Sequence, residues 1–170
     1  MNKKIVLGMA LAMLAAGSAF ATSFDGLTSV GGNYTYRDGE HLGGLTVHNF
    51  GYVNDCPVGY LVSFNSGFNV DNQEINMLVG PSYRYQLQDL PMSIDAALGL
   101  SASGQWFDED FFELGIGGYL GATYRLSNRL SLLAGCTVGY DMLSVSLDDG
   151  DTGYSGDFFV SPSLGIGFNY

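Results

Sequence analysis

The stretch from Phe158 to Tyr170 alternates with Phe159 as its one exception. Phe158, Val160, Pro162, Leu164, Ile166, Phe168 and Tyr170 are apolar or aromatic, and between them stand Phe159, Ser161, Ser163, Gly165, Gly167 and Asn169. A period of two over so long a run reads as a β-strand with one apolar face and is out of phase with a helix. The pattern recurs upstream over Leu130–Met142, Leu114–Leu126, Met92–Ala102, Ile75–Tyr85 and Val58–Phe68. Two weaker runs, Leu27–Arg37 and Leu42–Tyr52, precede these. In the first, Thr28, Val30, Tyr34 and Tyr36 are read onto the apolar face; in the second, Thr46, Phe50 and Tyr52. That register also puts His48 on the apolar face, so either a bulge shifts the strand or the assignment is off by one residue. The count is eight strands.

Soluble sandwiches use strands of about five or six residues. Eleven to thirteen residues at ~3.3 Å each span roughly 36–43 Å, and a tilt of about 45° brings this to roughly 25–30 Å, the apolar thickness of a bilayer. In lipid every backbone polar group must be satisfied within the protein, so such a sheet must close. Eight strands leave an interior that side chains just fill. Glycine supplies 25 of 170 residues and charged residues only 14%, against roughly 25% charged in soluble proteins. The predicted fold class is therefore all-β: an eight-stranded antiparallel up-and-down transmembrane barrel. Its rival, a soluble ligand-binding barrel, needs the two faces reversed.

Lys3 and Lys4, the apolar run Ile5 to Ala16, and Ala19-Phe20-Ala21 form the pattern of a secretory signal peptide. The expected division is a cleaved signal over residues 1–21 and a barrel domain over 22–170. Cleavage removes both lysines and leaves four arginines against 17 acids, which changes the net charge from -11 to -13. That balance excludes a nucleic-acid partner, which requires basic residues for phosphates. Cys56 is expected at one rim and Cys136 on the outer face near mid-strand, too far apart for a disulfide.

Loop lengths orient the barrel, because outer-membrane barrels keep short periplasmic turns and longer outer loops. Val53–Pro57, Gln88–Pro91 and Ser127–Arg129 read as periplasmic turns; Asp38–His41, Asp71–Glu74, Gln105–Phe112 and Ser144–Asp157 read as outer connections. Outward aromatics gather near strand ends, with Tyr52, Tyr85, Tyr124, Phe168 and Tyr170 at one rim and Tyr36, Phe68, Tyr140 and Phe158 at the other. The hairpin stretch Tyr124-Arg125-Leu126-Ser127-Asn128-Arg129-Leu130 and the closing run Leu164, Ile166, Phe168, Tyr170 resemble the OmpX-type and OmpA-type outer-membrane barrels. The resemblance covers nearly all of the mature chain. It implies an outer-membrane location, outer-membrane lipid as surroundings, and recognition of Leu164, Ile166, Phe168 and Tyr170 by the barrel-assembly machinery. Tyr170 departs from the commoner phenylalanine there.

Three groups of residues are candidate sites. Counting outward across the Gln88–Pro91 turn places Arg84 opposite Asp95, with Arg125 at similar depth; the expected role is bracing of the lumen, the alternative a gate or selectivity ring. Asp108, Glu109 and Asp110, flanked by Trp106 and Phe107, and Asp148, Asp149 and Asp151 form acidic outer loops. These read as solvated carboxylates and as contact candidates, with weak association of divalent ions as the alternative. Trp106 and Phe107 suit either the lipid interface or a partner. His41 and His48 are the only histidines, and neither begins the His-x-Ser motif of barrel lipid A deacylases. No catalytic residue, metal site or cofactor is expected. The expected role is non-enzymatic, in envelope structure or in adhesion and other surface interaction with a host or surface ligand through the outer loops. A narrow pore or hydrophobic-solute conduit is the alternative, and a lipid A-modifying enzyme a more distant one.

Overall fold

The computed structural model describes residues 24–53, 56–70, 72–106, 110–146 and 151–170. The proposed signal segment lies outside them, as do Phe107, Asp108, Glu109, Asp148 and Asp149 and the side chains of Trp106 and Asp110.

The chain runs through β1 (Phe24–Arg37), β2 (Glu40–Val53), β3 (Val58–Phe68), β4 (Gln73–Gln86), β5 (Met92–Trp106), β6 (Asp110–Arg125), β7 (Leu130–Ser146), β8 (Thr152–Gly153) and β9 (Asp157–Asn169). From β1 to β7 each strand pairs antiparallel with the next, and β9 pairs with both β7 and β1. The eight long strands thus close into a ring with no free edge. The two-residue β8 lies outside the ring, against Ser144 and Val145. Asp38 and Gly39, with φ of 45° and 88°, make the two-residue link from β1 to β2. Asp-Gly is the favoured pair for a turn with both φ positive, whose twist matches the strands it joins.

The exterior is apolar: Leu98 and Leu100 are 73% exposed and Leu164 68%. The residues between them turn inward and are polar or small, among them Ser63, Ser101, Thr137 and Ser161, all buried. This is the reverse of a soluble ligand barrel, and a continuous apolar belt of this kind belongs against hydrocarbon. The expected outer loop over Gln105–Phe112 is mostly strand, with Trp106 paired to Asp110. Backbone pairing still gives a net gain in water, though less than in lipid, so the hairpin can continue past the apolar belt.

The register of β2 corrects the sequence reading. Leu27 pairs with Phe50, Ser29 with His48 and Gly31 with Thr46, and Thr46, His48, Phe50 and Tyr52 are all inside and buried. The assignment was off by one residue, and Tyr52 leaves the rim aromatics. Inside, Phe50 and Tyr52 stack at 9° and Tyr119 meets Phe50 edge-on, with centroids 5.5 Å apart. With Leu27, Leu61, Leu78, Ala97 and Leu133 they form one apolar layer across the lumen. The Tyr119 ring has room because Gly121 and Gly135 flank its hydroxyl, where a Cβ would overlap it.

A bulge interrupts the β6–β7 ladder: Leu114 opposes Leu143 and Gly115 opposes Asp141, leaving Met142 as the extra residue. Met142 and Leu143 are both exposed. Asp141 below them is buried in the lumen, and Ser144 and Ser146 above them line its mouth. Cys56 is exposed, Cys136 half-buried, and neither is in a disulfide.

Candidate functional site

Two charged clusters close the lumen, one on each side of the aromatic layer. At the end carrying the β7–β9 connection, Arg37 leaves the last position of β1 inward because it keeps phase with Asn33 and Thr35. Its guanidinium is fully engaged. Nε donates to Glu74 at 3.0 Å, Nη1 to Glu113 at 2.8 Å and Asp141 at 2.6 Å, and Nη2 to Asn76 at 2.9 Å and Ser103 at 3.0 Å. The Phe159 ring lies 4.8 Å beneath it. Arg37, Glu74, Glu113 and Asp141 are each at most 3% exposed, so three carboxylates share one buried guanidinium. Gln105 and Ser155 complete the cluster through hydrogen bonds to Glu113. Ser155 comes from the β8–β9 connection, which is tied down by Gly156 N–H donating to the Asp141 carbonyl at 3.0 Å.

At the opposite end, Arg84 pairs with Asp95 in the β4–β5 register and Nε donates to its carboxylate at 2.6 Å. Asp95 also accepts from Tyr52 at 3.0 Å, Thr123 at 2.7 Å and Ser93 at 3.4 Å. The Arg84 guanidinium stacks over the Tyr52 ring at 4.1 Å. Arg125 is exposed and lines the same small pocket as Arg84, but among the described residues it joins no ion pair. Because Asp95 keeps three hydroxyl donors, Arg84→Met is expected to cost only about 1–3 kcal/mol. Urea unfolding in detergent micelles measures this, and an unchanged midpoint would show the pair to be dispensable.

Between the clusters His48 contacts Ser63 at 2.9 Å, Ser163 at 3.2 Å and Thr46 at 3.1 Å. A serine hydroxyl beside an imidazole has the composition of a nucleophile and base. Here His48 and Ser63 are buried, and neither the cavity above the Arg37 cluster nor the pocket beside Arg84 includes them. Their geometry is that of a polar core. His41 bonds the Tyr34 hydroxyl on the outer surface.

Above the Arg37 cluster opens a vestibule of about 820 Å³. Asp38, Glu40, Glu113, Asp151 and Asp157 line it, and Arg37, already committed to carboxylates, is the one cation in its wall among the described residues. Asp151 is thus placed at the mouth. Asp110 begins β6 there, and Trp106 ends β5 opposite it. Leu164, Ile166 and Phe168 stand exposed on the exterior of β9. Among the described residues, no group of three His, Cys, Asp or Glu side chains is arranged to hold a metal ion.

Arg37, Glu74 and Asn76 carry the outer cluster and were not singled out from the sequence. One signal was available: Arg37 lies in phase with the polar positions of β1, where an arginine needs an acidic partner. Its partners come from β4, β6 and β7, and nothing local links them.

No protein-family model matches the chain, and no curated protein sequence does. Solved structures match in fold. The chain is similar to Neisserial surface protein A, with 14% identity and a TM-score of 0.59 over 86% of this chain and 97% of that one. It is similar to Ail, the attachment invasion locus protein of Yersinia pestis, in complex with the heparin analogue sucrose octasulfate: 14% identity, TM-score 0.60, 88% of this chain and 100% of that one. The outer membrane protein OprG from Pseudomonas aeruginosa matches with 14% identity and a TM-score of 0.55, over 87% and 96%. What is shared at this identity is the fold, the closed eight-stranded barrel of small bacterial outer-membrane proteins.

Proposed function

We propose that this chain is an integral outer-membrane protein without enzymatic activity, and that its acidic outer mouth is a contact surface for cationic partners. The observation that carries the reading is a cup closed at its base. The vestibule is lined by five carboxylates, and its floor is the filled Arg37 cluster rather than a channel. Low-dielectric walls focus such a field and draw ions of opposite sign. The sequence between β5 and β6 and between β7 and β8 is itself acidic, with Asp108, Glu109, Asp148 and Asp149. Ail is described in complex with a polyanion; the charge on this mouth opposes that class of ligand and favours its opposite. The packed lumen favours a surface role over a narrow pore, and the burial of His48 and Ser63 favours a non-enzyme. Export through the segment 1–21, and insertion by the assembly machinery through Leu164, Ile166, Phe168 and Tyr170, belong to the same reading.

The test uses the folded barrel in phosphatidylcholine vesicles, titrated with spermine and with a lysine-rich peptide, heparin serving as the anionic control. Polycation binding is expected, weakening as salt screens the field. Combined Asp38→Asn, Glu40→Gln and Asp157→Asn is expected to lower affinity about tenfold. Binding of heparin in preference to polycations, or steady conductance in planar bilayers, would sink the proposal.

A further inference from the structure

The exterior of the barrel carries a polar arrangement at the seam where β9 meets β1. Asn49 on β2 projects outward, since its neighbours His48 and Phe50 project inward. An amide on a lipid-facing wall must have its donors satisfied by protein. Asn49 Nδ2 donates to Thr28 Oγ1 on β1 at 2.7 Å and to the Tyr170 hydroxyl at 2.9 Å. Tyr170 follows β9 and continues the seam, exchanging backbone hydrogen bonds with Gly26 at 2.9 and 3.1 Å. Its ring lies against Gly26, where a Cβ would overlap it. The side chain therefore starts beside β1, passes over it and ends on β2.

We propose that Tyr170 is a clasp that holds the β9–β1 seam shut by bonding across β1 to Asn49. Strands β1 and β2 are sequence neighbours and pair locally, whereas β9 reaches β1 only at ring closure. The clasp therefore depends on a joint whose partners are far apart in the chain. Interactions absent from the folding transition state change the unfolding rate and leave the folding rate alone. This assigns the Tyr170 hydroxyl a task that a phenylalanine at the same position leaves undone. The inference is independent of the role proposed for the outer mouth.

The experiment measures folding and unfolding rates in phosphatidylcholine vesicles for Tyr170→Phe, Asn49→Ala and the double variant, with heat-dependent gel mobility confirming that each has folded. Tyr170→Phe keeps the ring over Gly26 and removes only the hydroxyl. It is expected to unfold about five- to tenfold faster, with a folding rate within about twofold of the unaltered chain. Asn49→Ala is expected to speed unfolding less in the Tyr170→Phe background than in the unaltered chain, because the bond to Tyr170 is then already gone and only the bond to Thr28 is left to lose. An unchanged unfolding rate for Tyr170→Phe, or effects of the two substitutions that simply multiply, would overturn the clasp.

Discussion

Replacing Arg37 with methionine is expected to cost about 3–5 kcal/mol of barrel stability, because it strands buried carboxylates without their counter-charge. The side chain satisfies Glu74, Glu113 and Asp141 with three of its five N–H groups and Asn76 and Ser103 with the other two. Methionine fills much of the volume and supplies none of these donors. Arg37→Lys recovers part of the loss, since an ammonium has three donors and lacks the planar fork that reaches five acceptors. Glu74→Gln is the informative contrast: it removes one surplus negative charge and keeps the shape, so its cost falls well below that of Arg37→Met. Urea titration in vesicles gives all three midpoints. Equal costs for Arg37→Met and Glu74→Gln would mean that the cluster is held by packing rather than by charge.

Leu98→Arg carries the second-largest expected effect, about 2–4 kcal/mol in a bilayer. Leu98 lies near the middle of β5 and is among the most exposed large apolar side chains of the described residues. At mid-depth the charge has no water within easy reach. The same substitution at Val58, exposed at the start of β3, lies at the rim and is expected to cost about 0–1 kcal/mol. Equal costs at the two sites would remove the argument that the apolar belt faces lipid.

Much of the wall was legible because a two-residue period is a local property. From β3 to β7 and in β9, each apolar residue faces out wherever its neighbours alternate strictly, and no long-range information is required. The β4–β5 hairpin was countable for the same reason: Leu87 N–H donates to the Met92 carbonyl, and three steps outward Arg84 faces Asp95. Strand β2 was misread where size and polarity disagreed. Phe50 and Tyr52 look like lipid-facing residues, yet they occupy an interior where Gly121 and Gly135 leave space for the Tyr119 ring beside them. His48 was the sign that the face was inverted. The Arg37 cluster was out of reach because its acids stand 37, 76 and 104 residues away and meet only when the ring closes.

The extra residue at Met142 works as a slip joint. Below it, β7 is locked to β6 and β9 by the ladder that crosses the apolar belt. Above it, the strand resumes with its own count and pairs with β6 and β8. Residues gained or lost in the upper part are absorbed at the joint instead of being passed down the wall, where a shift of one would turn every side chain to the wrong solvent. Over evolutionary time the mouth is therefore free to lengthen, shorten and change its lining while the wall beneath keeps its register. Among relatives of this barrel, variation in length should collect above the position of Met142, and the part below should hold its residue count.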